Sequence, residues 1–202
     1  MELGNVLIFD ANELKGHEDL VCSKIDKERV EKAYRFKFEK DQLLSLGAAL
    51  LMKFVCGSKA IDYSKDKPFS RDGPRFSVSH SGHYVVIYSS EESEVGVDIQ
   101  ENIIFTKRLI EYIGANDNLS NEELTEYWCL KEAIGKCLGI GLGPLLKATI
   151  EKKSGVAHCF GGKIFYSNSF KFDGYTIVAV NETNPTTVEF KAIYLKDILK
   201  EL

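Results

Sequence analysis

Residues 81–88 read Ser-Gly-His-Tyr-Val-Val-Ile-Tyr, and residues 173–180 read Asp-Gly-Tyr-Thr-Ile-Val-Ala-Val. Both are a turn glycine followed by a nearly continuous run of β-branched and aromatic side chains, the signature of a tight turn feeding a buried strand. Each run is followed, after a polar gap, by an alternating strand: VGVDI at 95–99 and VEFKAIYL at 188–195. Each is preceded by helical sequence. The pattern predicts an α+β fold in which a helix-and-strand unit occurs twice, as an N-terminal half over residues 1–101 and a C-terminal half over 102–202. Any two hairpins resemble one another this far, so pattern alone leaves duplication and coincidence both open.

Working outward, VLIFD at 6–10 reads as a short buried strand, and residues 23–38 as helical and locally basic. Asp41 opens a helix whose stretch LLSLGAALLMKFV is apolar on nearly every side, as expected of one buried at the centre. FSVS at 76–79 alternates. Ser120 and Glu123 form a capping box ahead of an amphipathic helix marked by Leu124, Tyr127, Trp128, Ile134 and Leu138, which the glycines of 139–143 stop. Strands are expected at 147–153, 163–170, 175–180 and 188–195.

The 202 residues are 44% hydrophobic, 11% aromatic and 28% charged, ample for one large or two small cores and unlike a disordered chain. A net charge of −4 argues against general nucleic-acid binding. No apolar run reaches the about 20 residues of a bilayer span. MELGNVLIFDANELKG at the N-terminus shows no basic leader, and five cysteines without a CxxC pair fit reduced thiols. The expectation is a cytoplasmic protein with neither nucleic acid nor membrane as partner.

Alternation along VGVDIQ sends Val95, Val97 and Ile99 to one face and Gly96, Asp98 and Gln100 to the other. An acid and an amide then stand side by side, with Gly96 leaving room for a ligand. Glu132 and Lys136, one helical turn apart, share a face; such a pair is ordinarily a solvated ion pair, but mid-helix Gly135 points to a close approach. Ser79 and His80 point to opposite sides of their strand, which disfavours a hydrolase dyad and suits contacts with phosphate oxygens. Asp98, Gln100 and Glu132 are hard oxygen donors of the kind Mg²⁺ uses, while Lys136, Lys67, His80, Arg29 and Lys32 supply cations for a polyanion. The residues themselves lead to chemistry on a phosphate ester or anhydride.

KPFSRDGPRFSVSHSG (67–82), VGVDIQ (95–100) and WCLKEAIGKCLGIGL (128–142), in this order, resemble the three signature blocks of the 4′-phosphopantetheinyl transferase superfamily, in the form of its larger, surfactin-synthetase-type branch. The resemblance implies a pseudo-twofold fold of two α+β halves with the active site in the cleft between them, and a monomer. It implies Mg²⁺-dependent transfer, Mn²⁺ being able to substitute, of the phosphopantetheine arm of coenzyme A to a serine of an acyl or peptidyl carrier protein, with adenosine 3′,5′-bisphosphate released.

Carried over by position, Asp98 and Glu132 match metal-binding carboxylates and Lys136 the lysine near the diphosphate. Ser79, His80 and Lys67 match contacts to the cofactor, and Arg29, Lys32 and Ser45 fall where basic and hydroxyl side chains meet the 3′-phosphate. Two positions depart. Gln100 stands where the family usually has glutamate, implying weaker Mg²⁺ affinity, and Leu44 where it has arginine. A silent coenzyme A- or carrier-binding protein and a metal-dependent phosphohydrolase are the alternatives. Ile104, Phe105 and Leu109 are candidates for a carrier-docking surface or for core.

Overall fold

The computed structural model describes residues 3–63, 67–140, 143–146, 148, 150–154, 157–184 and 187–202. Among the described residues six α-helices accompany eleven strands: β1 (Leu3–Asp10), α1 (Glu18–Cys22), α2 (Lys27–Ala33), α3 (Glu39–Cys56), β2 (Ile61–Asp62), β3 (Phe69–Ser70), β4 (Arg75–Ser81), β5 (Tyr84–Ser90), β6 (Val95–Glu101), α4 (Lys107–Tyr112), α5 (Asn121–Leu138), β7 (Glu151–Ser154), β8 (Ala157–Phe160), β9 (Lys163–Phe172), β10 (Tyr175–Asn181), β11 (Thr187–Ala192) and α6 (Leu195–Glu201). The architecture is mixed α+β. Residues 193–195, expected to continue the last strand, instead lead into α6, whose Leu195 and Ile198 bury their side chains in the first core. Of the segment expected as a strand at 147–153, residues 147 and 149 lie outside the described residues; β7 occupies its end.

The larger sheets are ordered β11-β1-β5-β4 and β6-β10-β9-β8-β7. Sheet membership crosses the sequence midpoint in both directions: β6 pairs antiparallel with β10, while β11 pairs parallel with β1. The apolar face of β6 explains why. Val95, Val97 and Ile99 are buried with Val6, Ile8 and Val86 of one sheet and Ile177 and Ala179 of the other, so one cluster joins the two. Helix α3 packs on the opposite side of the first sheet in a core with Phe9, Val85 and Ile87. Helix α5 covers the second sheet through Cys129, Ala133, Ile134 and Cys137, packed with Phe165, Val178 and Val180.

The two long hairpins close on two-residue turns. Ser81 pairs with Tyr84 around Gly82 (φ +61°), and Phe172 with Tyr175 around Asp173 (+48°) and Gly174 (+78°). Positive φ at the first central residue alone, or at both, gives the twist-compatible II′ and I′ turns. The hairpin tips meet: Tyr84 donates to Asp173 Oδ2 at 2.8 Å and packs edge-on against Tyr175 and Phe172.

Candidate active site

Strands β4 and β6 are the facing edges of the two sheets, and they run alongside each other without a backbone ladder. Serine hydroxyls bridge them instead. Val97 N donates to Ser77 Oγ and Glu101 N to Ser81 Oγ, both at 3.2 Å, and between them Ser79 donates to Asp98 Oδ1 at 2.7 Å. These three serines share one face of β4 because side chains alternate. The series Ser77, Ser79, Ser81 was visible in the sequence; that it spans a gap between sheets was not.

Asp98 is buried, and Lys136 reaches it from α5. Its Nζ donates to Asp98 Oδ1 and Ser79 Oγ, each at 2.7 Å. Glu132, half-buried one turn earlier, is close enough for the Asp98 charge to act on it. Its pKa is raised, chiefly by burial and then by Asp98, with Lys136 opposing. Two carboxylates from separate elements therefore converge beside one ammonium. Among the described residues no group of three or more His, Cys, Asp or Glu side chains gathers as a ready metal cage. The candidate set is the Asp98–Glu132 pair with the amide oxygen of Gln100, which lies two residues on in the same strand. A carboxylate pair under mutual repulsion, with hard oxygen donors, fits a divalent cation such as Mg²⁺.

Gly96 does not serve a ligand. A Cβ there would stand 2.8 Å from Cys137 N and nearer still to Ala133 O, so the missing side chain lets α5 lie directly on β6. That contact sets the depth at which Glu132 and Lys136 meet Asp98. Gly135 borders a cavity of about 410 Å³ together with Lys136, Lys67, Pro68, Phe76 and Ile140. At its rim Lys67 donates to Val95 O at 3.0 Å and lies 3.6 Å from Glu94, which also pairs with Arg75.

His80 points away from Asp98, as alternation requires, and is exposed. Its pKa is lowered by loss of solvation and by Lys136, while Asp41 on α3 acts in the other direction. Arg29, Lys32 and Ser45 lie on α2 and α3, apart from the strands that carry this cluster. Arg29 is buried rather than presented on a basic face, its guanidinium 5.1 Å from the Tyr63 ring centroid and its Nε without a hydrogen-bond partner among the described residues. Lys32 is exposed near Arg35 and Phe36. Ser45 is half-buried, one turn beyond Asp41, and Leu44 is committed to the first core. Of the docking candidates, Ile104 is 84% exposed, whereas Phe105 is buried with Ile110, Ile113 and Leu124 and belongs to a small core.

Residues 94–179 match the model of the 4′-phosphopantetheinyl transferase superfamily. The chain is 28% identical to an L-aminoadipate-semialdehyde dehydrogenase-phosphopantetheinyl transferase of Xenopus laevis over 161 residues, covering 62% of this chain and 53% of that protein. It is 29% identical to a phosphopantetheinyl transferase of Thraustochytrium sp. over 172 residues, covering 66% and 60%. A Mus musculus protein named like the Xenopus one is 28% identical over 158 residues, covering 61% and 51%. The chain thus spans about half the length of the vertebrate relatives it matches. The family match embraces the strand β6 and the helix α5 that deliver Asp98, Glu132 and Lys136, and over this stretch the chain is similar to the 4′-phosphopantetheinyl transferase superfamily.

Proposed function

We propose that this protein transfers the 4′-phosphopantetheine arm of coenzyme A to a serine hydroxyl of an acyl or peptidyl carrier protein, releasing adenosine 3′,5′-bisphosphate. The observation that carries the reading is the convergence of Asp98, Glu132 and Lys136 beside a cavity edged by Lys67. Glu132, directly or through a bound water, takes the proton of the acceptor hydroxyl. The freed oxygen attacks the β-phosphorus, the phosphoanhydride bond breaks, and Lys136 stabilises the charge on the departing bisphosphate. Asp98, Gln100 and Glu132 are the residues that would hold Mg²⁺, or Mn²⁺ in its stead, and the ion when bound supplies charge neutralisation across the diphosphate. Ser79 fixes the Asp98 carboxylate, and Lys67 and His80 face the cofactor's phosphates.

The cleft between the sheets is the active site of a pseudo-twofold molecule of the surfactin-synthetase-type branch, complete as a monomer in the cytoplasm. Support for duplication lies in the order helix, hairpin, crossing strand. Helix α3, β4–β5 and β6 are followed later by α5, β9–β10 and β11, and both third strands join the other half's sheet. The test is to incubate the protein with coenzyme A, Mg²⁺ and an apo-carrier and to weigh the carrier. A mass gain equal to the arm is expected, and it should vanish in a folded Glu132→Ala variant. An unchanged carrier with coenzyme A bound would favour the silent binder to which Gln100 and Leu44 point, and hydrolysed coenzyme A would favour a phosphohydrolase.

A further inference from the structure

Lys131, next to Glu132 on α5, is fully buried, yet among the described residues no carboxylate lies against its ammonium. Its Nζ donates to four backbone carbonyls: Ile113 at 2.5 Å, Leu145 at 2.9 Å, Leu146 at 2.8 Å and Ala148 at 2.7 Å. The Tyr127 ring closes another side, its centroid 4.9 Å away. An ammonium has three N–H donors, so four acceptors share them and the cage is saturated. Burying a cation is costly, and an apolar side chain of similar volume would hold α5 against its neighbours more cheaply. Adhesion is therefore a poor account of this residue.

The carbonyls come from two segments on either side of α5. Ile113 caps the end of α4. Leu145 ends the short turn Gly143–Leu145 and Leu146 and Ala148 follow it, while Gly139 and Ile140, at the end of α5, wall the cavity beside Lys136. We infer that Lys131 is a positioning residue: by gathering these carbonyls to one point it fixes the rotation and depth of α5, and with them the places of Glu132 and Lys136 over Asp98 and the wall of the cavity. The inference rests on the transfer reading above, since it is read out as turnover.

The test uses Lys131→Met, which keeps the stem and removes the charge, and Lys131→Arg, which keeps the charge in a head too large for the cage. Folding is checked by circular dichroism and by emission of Trp128, the single tryptophan. For folded variants, kcat is expected to fall about 10- to 100-fold with KM for coenzyme A within about threefold, as for misplaced catalytic groups. In Lys131→Ala, n-propylammonium should restore kcat saturably and n-propanol should not. A folded variant with kcat within about threefold of the parent, a loss confined to KM, or equal rescue by the alcohol would overturn the role. If Lys131→Met does not fold, Lys131→Arg carries the comparison; failure of every variant to fold would assign the ammonium to folding and overturn the inference as well. An inactive parent overturns the transfer reading, and the positioning role with it, whereas an active parent with unimpaired variants overturns the positioning role alone.

Discussion

Asp98 Oδ1 accepts from both Ser79 and Lys136, so three side chains from β4, β6 and α5 share one oxygen. Removing the ammonium leaves a buried carboxylate facing Glu132 without its positive partner, and the charge of the leaving bisphosphate unmet. Lys136→Met is expected to lower transfer about 100-fold or more while the protein remains folded, measured as carrier mass gained per unit time. Gln100 makes a separate expectation. Replacing its amide with a carboxylate adds one negative charge beside Asp98, so Gln100→Glu should lower the half-saturating Mg²⁺ concentration about tenfold. Identical saturation curves would show that position 100 does not face the ion.

Along β6 and α5 the decisive contact is backbone against backbone. Gly96→Ala would drive a methyl group into Ala133 O and Cys137 N, and the helix cannot yield without shifting Glu132. The expected cost is about 2–4 kcal/mol of stability, read from urea unfolding, together with a loss of transfer. These elements also show what a sequence discloses. The two faces of β6 and the shared face of Glu132 and Lys136 follow from periods of 2 and 3.6, and both were legible. Partner choice was not: nothing in VGVDIQ says that it pairs with a strand 75 residues later, because alternation specifies a face and leaves the neighbour open. Gly96 was misread for the same reason. Its need for space was visible, while the occupant of that space was set by tertiary packing. The Lys131 cage lay deeper still, since its acceptors are carbonyls, which every residue has.

At the scale of the whole molecule, the buried thiols give a pH dependence with a definite sign. Burial pushes Cys56 up to about 11 and Cys137 up to about 12, from an ordinary value of 9.0. In the unfolded chain both ionise near 9; in the folded protein they stay protonated until pH 11 or above. The unfolded state therefore binds fewer protons across that interval, and stability falls as pH rises from 9 toward 11. Urea midpoints at pH 8 and pH 10.5 should separate, and they should draw together in the Cys56→Ala, Cys137→Ala double variant. An unaltered separation would place the alkaline sensitivity elsewhere. A second consequence concerns the crossed strands: fragments 3–101 and 102–202 each lack a strand that their own sheet needs, so neither is expected to give a cooperative thermal transition alone, whereas mixing them should.

Where the two sheets face each other, they are fastened by hydroxyl groups at Ser77, Ser79 and Ser81 and not by paired peptide groups. A stitched seam can be let out one thread at a time. Trimming the outer stitches, in a Ser77→Ala, Ser81→Ala pair, takes one oxygen from each and leaves every carboxylate and ammonium in place. The width of the mouth thus becomes adjustable separately from the reacting groups behind it.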